Sequence, residues 1–285
     1  MEDVKNMKNI TDEMLQLFNY RLINEEKAQA SINKYMHDVS QFKIWLHGRE
    51  VTKDVVLAYK EFLCEKYAPS SVNATLSSLN SFFGFLKWFD FRVKNLKIQR
   101  QLFTSDNSEL TKDEDNRMLD AAKRKKNERL FFLMQTICST GIRVSELKYI
   151  TVGAITCGIA KINGKGKRRQ VILPNRLCHA LQLYAKKKQI KSGAIFITKN
   201  GNPLDRSNIW SEMKKLCKDA NVPEKKVYPH NLRHLFARTY YSLEKDIVRL
   251  ADILGHSNVN TTRIYTIESG EVHRKQIQRL GLLRC

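Results

Sequence analysis

The chain has 285 residues, room for two domains of ordinary size. Its 50 lysines and arginines against 29 acids leave a formal charge of +21, which points to a polyanionic partner such as nucleic acid or an anionic membrane surface. A 42% apolar fraction excludes disorder as the dominant state, and no run approaches the roughly 18 apolar residues of a membrane helix.

The first residues (MEDVKNMKNITDE) carry acids where a signal peptide carries bases and an apolar core. The six cysteines are far apart with no CxxC pair, so neither a zinc site nor a disulfide framework is expected. Reduced thiols in a cytoplasmic compartment are the plain reading.

Residues 1–95 read as a compact module of four helices. Met14, Leu15, Phe18, Leu22 and Ile23 recur at helical spacing over 11–27. Ile32, Tyr35, Val39, Phe42 and Leu46 do so over 32–46, behind Ser31 as the expected N-cap. A third helix is expected over 53–67 and a fourth over about 70–88, just after Pro69. The aromatic residues Phe82, Phe83, Phe85, Trp88 and Phe89 are expected to pack as core rather than to stack on bases. Residues 96–108 lose the apolar rhythm and read as a linker.

The second domain, 109–285, opens on a capping-box pattern at Thr111–Glu114. A buried helix is expected over Leu130–Cys138, then a short helix from Arg143. Two β-rich stretches, Ile159–Ile162 and Arg169–Leu173, flank Gly164-Lys165-Gly166 and predict a hairpin. A helix over 176–188, a short strand over Ala194–Thr198 and helices at 207–220, 230–243, 246–255, 258–266 and 270–280 complete the reading. The fold expected is mainly α, with one small antiparallel β-sheet.

Charge is uneven. Residues 1–100 hold 15 bases and 12 acids; no acid occurs between Glu146 and Asp205, where 12 bases do. That stretch reads as a phosphate-tracking surface, with Lys167, Arg168 and Arg169 as DNA contacts.

Four groups carry the candidate chemistry: TGIRVSEL (140–147), NGKGKRRQVILP (163–174), HNLRHLFA (230–237) and LGHSNVNTTRIYT (254–266). His230 and Arg233 share a helix face at a helix start, an anion-binding combination. Arg143 lies next to the core and needs an anionic partner, which Glu146 could be. Lys165 sits at a hairpin tip between glycines. Tyr265 follows His256 by nine residues. A phenol becomes a nucleophile only when its proton is removed and its target phosphate is neutralised, and arginine forks do the second. Read singly, each group has a plainer account: a capped surface helix, an ordinary Arg–Glu pair, an exposed lysine, a packed tyrosine.

Taken in order, the four groups resemble the signature of the tyrosine recombinase/integrase family, over nearly the whole chain. The resemblance implies a SAM-like core-binding domain at 1–95 and a catalytic domain at 109–285. It implies that Tyr265 attacks a DNA phosphate to give a 3′-phosphotyrosyl bond. Arg143 and Arg233 would hold the non-bridging oxygens with help from His256, Lys165 would protonate the leaving oxygen, with Lys167 as second candidate, and His230 would accept the tyrosine proton. Glu146 and His234 would support the site. No metal and no other cofactor is implied. The partners implied are double-stranded DNA and three further copies of the chain, with the terminal helix at 270–283 docking on a neighbour; folding back on its own domain is the alternative. The compact length resembles the Xer dimer-resolution enzymes or transposon-encoded resolvases of the tyrosine type. Two rivals share the fold or the chemistry: a DNA-binding regulator that has lost catalysis, and a type IB topoisomerase. The charge alone would also allow an RNA-binding protein, but no RNA-binding module is recognisable.

Overall fold

The computed structural model describes residues 8–98, 109–164, 167–198, 200–265, 277–280 and 282, without the side chains of Gly164 and Lys167. The chain divides into two compact units, Met1–Arg100 and Gln101–Cys285.

The first unit consists of α1 (Asp12–Asn24), α2 (Gln29–Leu46), α3 (Lys53–Lys66) and α4 (Pro69–Phe85). The hydroxyls of Thr11 and Thr52 cap α1 and α3 by accepting from the backbone N–H groups of Met14 and Val55. Pro69 stands in the first turn of α4, where its missing N–H costs nothing. The apolar stripes meet in one core around Phe18, Phe42, Leu76, Phe82 and Phe83, all wholly buried. The rings of Phe18 and Phe82 pack edge-on at 5.1 Å. Phe82 and Phe83 are therefore core, whereas Phe89 is exposed. Helix α2 begins earlier than expected: Gln29 and Ala30 are already helical, Ser31 lies in the first turn, and Ala28 at the boundary supplies no side-chain cap. The buried Asp38 links α2 to α4 by accepting from Ser78 Oγ at 2.7 Å.

The second unit is built on α6 (Glu128–Thr140), whose Leu130, Leu133, Met134 and Ile137 are buried. Before it runs α5 (Lys112–Arg124), held at its start by the Thr111–Glu114 capping box. After it come a 3-10 turn (Val144–Tyr149), α7 (Val152–Cys157) and the hairpin of β1 (Ile159–Gly164) with β2 (Lys167–Ile172). The two strands are antiparallel, with Ile162 opposite Arg169. Then follow α8 (Asn175–Lys187), α9 (Arg206–Lys214), α10 (Cys217–Ala220), α11 (Pro229–Glu244) and α12 (Ile247–Leu254). Short 3-10 turns at Val259–Thr261 and Arg263–Tyr265 carry the chain to the tyrosine.

Several elements of this unit differ from expectation. Ala194–Thr198 forms only single bridges, Thr151 with Ala194 and Ile197 with Pro203. Thr198 N–H turns back onto the Asn202 carbonyl at 2.7 Å, and Pro203 has no N–H with which to extend a ladder. The helix expected over 207–220 breaks between Lys214 and Cys217, which lets consecutive residues Leu216 and Cys217 both face the core. Where one helix is expected over 258–266, the described residues 258–265 form two tight turns instead. Among the described residues no helix is long and apolar enough to cross a membrane.

Candidate active site

Arg233 is the centre of the site. It lies one turn into α11 and is 2% exposed. A buried guanidinium needs acceptors for its donors, and two helix ends supply them. Helix α6 stops at Gly141 (φ +62°) and α12 at Gly255 (φ +64°), which leaves carbonyls without intrahelical partners. Arg233 donates through Nη1 to the Gly141 carbonyl and through Nη2 to the Leu254 carbonyl at 2.7 Å. Both acceptors are negative ends of helix dipoles, which suits a cation. Both stops need glycine: a Cβ on Gly141 would lie 2.5 Å from the Phe236 ring, and one on Gly255 would overlap the Arg169 side chain.

Those stops also place the neighbouring groups. Arg143, two residues past Gly141, donates from Nη1 to Glu146 Oε1 at 3.0 Å and from Nη2 to the Gly255 carbonyl at 3.4 Å. Glu146 accepts at its other oxygen from the Arg143 backbone N–H at 3.0 Å and from Arg169 Nη2 at 2.6 Å. Burial alone would raise the Glu146 carboxyl, but the two arginines outweigh it and hold it below the usual carboxylate range.

His256 follows Gly255. Its Nε2 lies 3.0 Å from Arg233 Nη2 and its Nδ1 2.8 Å from Thr262 Oγ1. Burial, then the charges of Arg233, Arg143 and Arg169, pulls its pKa down to about 4. Tyr265, 3% exposed, stacks on His256 with ring centroids 6.0 Å apart and meets the His234 ring edge-on at 4.7 Å. Its phenol is near enough to Arg233 for the two to interact electrostatically. His234 lies 4.5 Å from the His230 ring and 3.6 Å from Glu109 Oε1, beyond hydrogen-bond length. His230, at the open end of α11, is also drawn down to about 4, by burial of part of the ring and by His234, Arg233, Arg206 and Arg143 around it. A cleft bounded by Arg143, Ser145, Arg206, Pro229, His230 and Arg233 opens in front of these groups.

The fold thus gathers Arg143, Glu146, His230, Arg233, His234, His256 and Tyr265 into one place. Lys165 and the Lys167 side chain lie outside the described residues, as does most of the segment 270–283; Ile277, Leu280 and Leu282 within it are exposed. Arg168 is exposed. Arg169 is a correction. It does not face outward for DNA: it turns inward between Glu146 and the Ile253 carbonyl, which accepts from its Nη1 at 2.8 Å. Sequence reasoning gave no role to Glu109, Arg206 or Thr262. Thr262 lies six residues past His256 but on no continuous helix, and Arg206 stands just before the helix expected at 207–220, 24 positions ahead of His230, so nothing local flagged either.

The Phage integrase family model matches residues 108–271, and the Phage integrase N-terminal SAM-like domain matches 15–89. The chain is 28% identical to tyrosine recombinase XerA of Pyrococcus furiosus, across 97% of this chain and 96% of that one. It is 30% identical to tyrosine recombinase XerD of Chlamydia pneumoniae, across 84% and 85%. Its fold matches a crystal structure of a lambda integrase tetramer bound to a Holliday junction with TM-score 0.71, at 18% identity over 92% of this chain and 78% of that one.

Proposed function

The chain belongs to the phage integrase family, and from that membership we propose how its own residues cut and rejoin DNA. It is a tyrosine recombinase, an enzyme of DNA strand breakage and rejoining. The observation that supports its active chemistry is that Arg143, His230 and Arg233 line one cleft while Tyr265 of the same chain stacks on His256, the ring that Arg233 contacts.

The phenol oxygen of Tyr265 attacks the phosphorus of one phosphodiester in line. The P–O5′ bond breaks, and the 3′ side is left as a phosphotyrosine. Arg143 and Arg233 hold the two non-bridging oxygens, where charge grows in the transition state. Both guanidiniums are already fixed by protein acceptors, so little ordering is left to do when DNA enters. His230 is neutral at physiological pH and takes the phenol proton. Lys165 donates a proton to the departing 5′ oxygen. A 5′ hydroxyl from a second strand then reverses the step. One phosphate ester is exchanged for another of similar energy, so the cycle calls for neither ATP nor a metal ion.

The substrate is duplex DNA, and the exchange runs in an assembly of four chains on two sites through a Holliday junction, with the terminal segment 270–283 reaching a neighbouring chain. The DNA-contacting role falls to Lys167 and Arg168, and Arg169 is reassigned to positioning the site. A cytoplasmic location, with the DNA, accords with the free thiols at Cys64, Cys138, Cys157, Cys178 and Cys217. A regulator without catalysis is disfavoured because every expected catalytic group within the described residues is present and assembled.

The test uses nicked duplexes with a randomised core, which trap the covalent intermediate when the short 5′ fragment diffuses away. Wild type should give a protein–DNA adduct that survives detergent, and Tyr265→Phe should give none. An adduct persisting in that variant would assign the nucleophile elsewhere.

A further inference from the structure

Three arginines line the cleft beside His230, and two of them are spoken for. Arg233 is held by two backbone carbonyls and His256. Arg143 is held by Glu146 and the Gly255 carbonyl. Arg206 is different: among the described residues its guanidinium makes no hydrogen bond or ion pair with the protein. Its nearest acid in sequence, Asp205, is turned onto the helix end, where it accepts from the Ser207 backbone N–H at 3.1 Å.

Arg206 is not on a loose loop. It is the first residue of α9, whose Ile209 and Met213 are buried. Trp210 Nε1 donates to the Val227 carbonyl at 3.1 Å, and Glu212 pairs with Arg129 at 2.5 Å. Arg206 is exposed at the edge of the cleft, on a braced helix, with a guanidinium fork that solvent covers and a phosphate could take up. The cleft already has two guanidiniums for the two non-bridging oxygens of the attacked phosphate. A single strand carries its next charge about 3.4 Å further along the helix axis.

We propose that Arg206 is a further substrate-contacting residue of this active site and binds the phosphate adjacent to the attacked one on the cleaved strand. The contact fixes which phosphodiester stands in front of Tyr265. The inference rests on the recombinase reading given above and extends it by one residue.

A duplex recovered as an adduct by the wild type is resynthesised with one methylphosphonate at a time, which removes one charge and leaves the chain length unchanged. Adduct formation is then compared between wild type and Arg206→Gln, with Arg206→Lys retaining the charge. At one position flanking the cleavage point, neutralisation should slow wild type roughly tenfold, the scale of one charge-assisted contact. It should leave Arg206→Gln within about twofold and give Arg206→Lys an intermediate response. At all other positions wild type and Arg206→Gln should respond alike. Equal responses at every position would overturn the assignment, as would a differential response only at the attacked phosphate. Absence of any wild-type adduct would instead remove the recombinase reading, and this inference with it.

Discussion

Nη2 of Arg233 and Nε2 of His256 stand 3.0 Å apart, and one proton arrangement satisfies them. A guanidinium only donates, so Nε2 carries the lone pair and the ring proton is on Nδ1. Nδ1 then donates to Thr262 Oγ1 at 2.8 Å. The wholly buried Thr262 therefore selects the tautomer that Arg233 requires.

Replacing that hydroxyl gives a direct check. Thr262→Val keeps the shape and removes the acceptor, so the Nδ1 proton is left unpaired and the tautomer is no longer fixed. Single-turnover cleavage should fall about tenfold, the effect of losing one supporting hydrogen bond, with DNA affinity within about twofold. Thr262→Ser should recover most of the rate. Wild-type cleavage by Thr262→Val would show that the tautomer is set by Arg233 alone.

The two adjacent arginines of β2 should separate cleanly. Arg168 is exposed and Arg169 is bound to Glu146 and the Ile253 carbonyl. Arg168→Gln should reduce the slope of log affinity against log salt by about 0.9, the value of one lost phosphate contact, and leave adduct chemistry intact. Arg169→Gln should leave that slope unchanged, lower adduct formation and destabilise the fold by roughly 3 kcal/mol, since it leaves a largely buried carboxylate short of a partner. Urea melts and salt titrations together distinguish the two outcomes.

Much of the site is legible in the sequence because its parts sit on regular elements. Pro229 starts a helix, so His230 and Arg233 must share a face. Gly141 and Gly255 stop helices, so the residues just after them must lie at helix ends. Arg169 is hidden inside a basic run, although its signal is present: it alternates with the buried Val171 and pairs with the buried Ile162, the period-two pattern of an inward strand face. Helix α7 is obscured for another reason. Its six residues (VGAITC) include β-branched Val, Ile and Thr and a glycine, and only the Thr151 cap marks a helix. Contacts such as His256 to Thr262 depend on consecutive tight turns, which have no periodicity to read.

His234 has a packing role that its charge obscures. Its ring edge supports Tyr265 at 4.7 Å and touches His230 at 4.5 Å, with both ring nitrogens buried and without hydrogen-bond partners. His234→Phe retains the shelf and removes the two unsatisfied atoms, at the cost of the Nδ1 approach to Glu109, so cleavage should stay within about threefold and stability should change little. His234→Ala should lose both, with a stability cost of about 2–3 kcal/mol from the cavity under Tyr265. A Phe variant as impaired as the Ala variant would mean that the imidazole itself takes part in proton transfer.

Asp115 gives a pH signature outside the cleft. It is buried on α5, its Oδ1 has no hydrogen-bond partner, and it lies beside Cys138 of α6. Burial raises its carboxyl to about 6, and the Cys138 thiol beside it donates to the Leu232 carbonyl instead. A carboxyl whose folded pKa exceeds its unfolded one binds a proton more tightly in the native state. Between pH about 4 and about 6 the fold therefore gains stability from Asp115 as pH falls, and above about 6 it carries the cost of a buried charge. Asp115→Asn removes the charge at every pH. At pH 7.5 the variant should be more stable than wild type by about 2–3 kcal/mol at most, less whatever the amide fails to satisfy. By pH 4 the difference should have closed. Urea melts of both proteins at the two pH values measure it, and a constant difference would mean that Asp115 does not titrate between them.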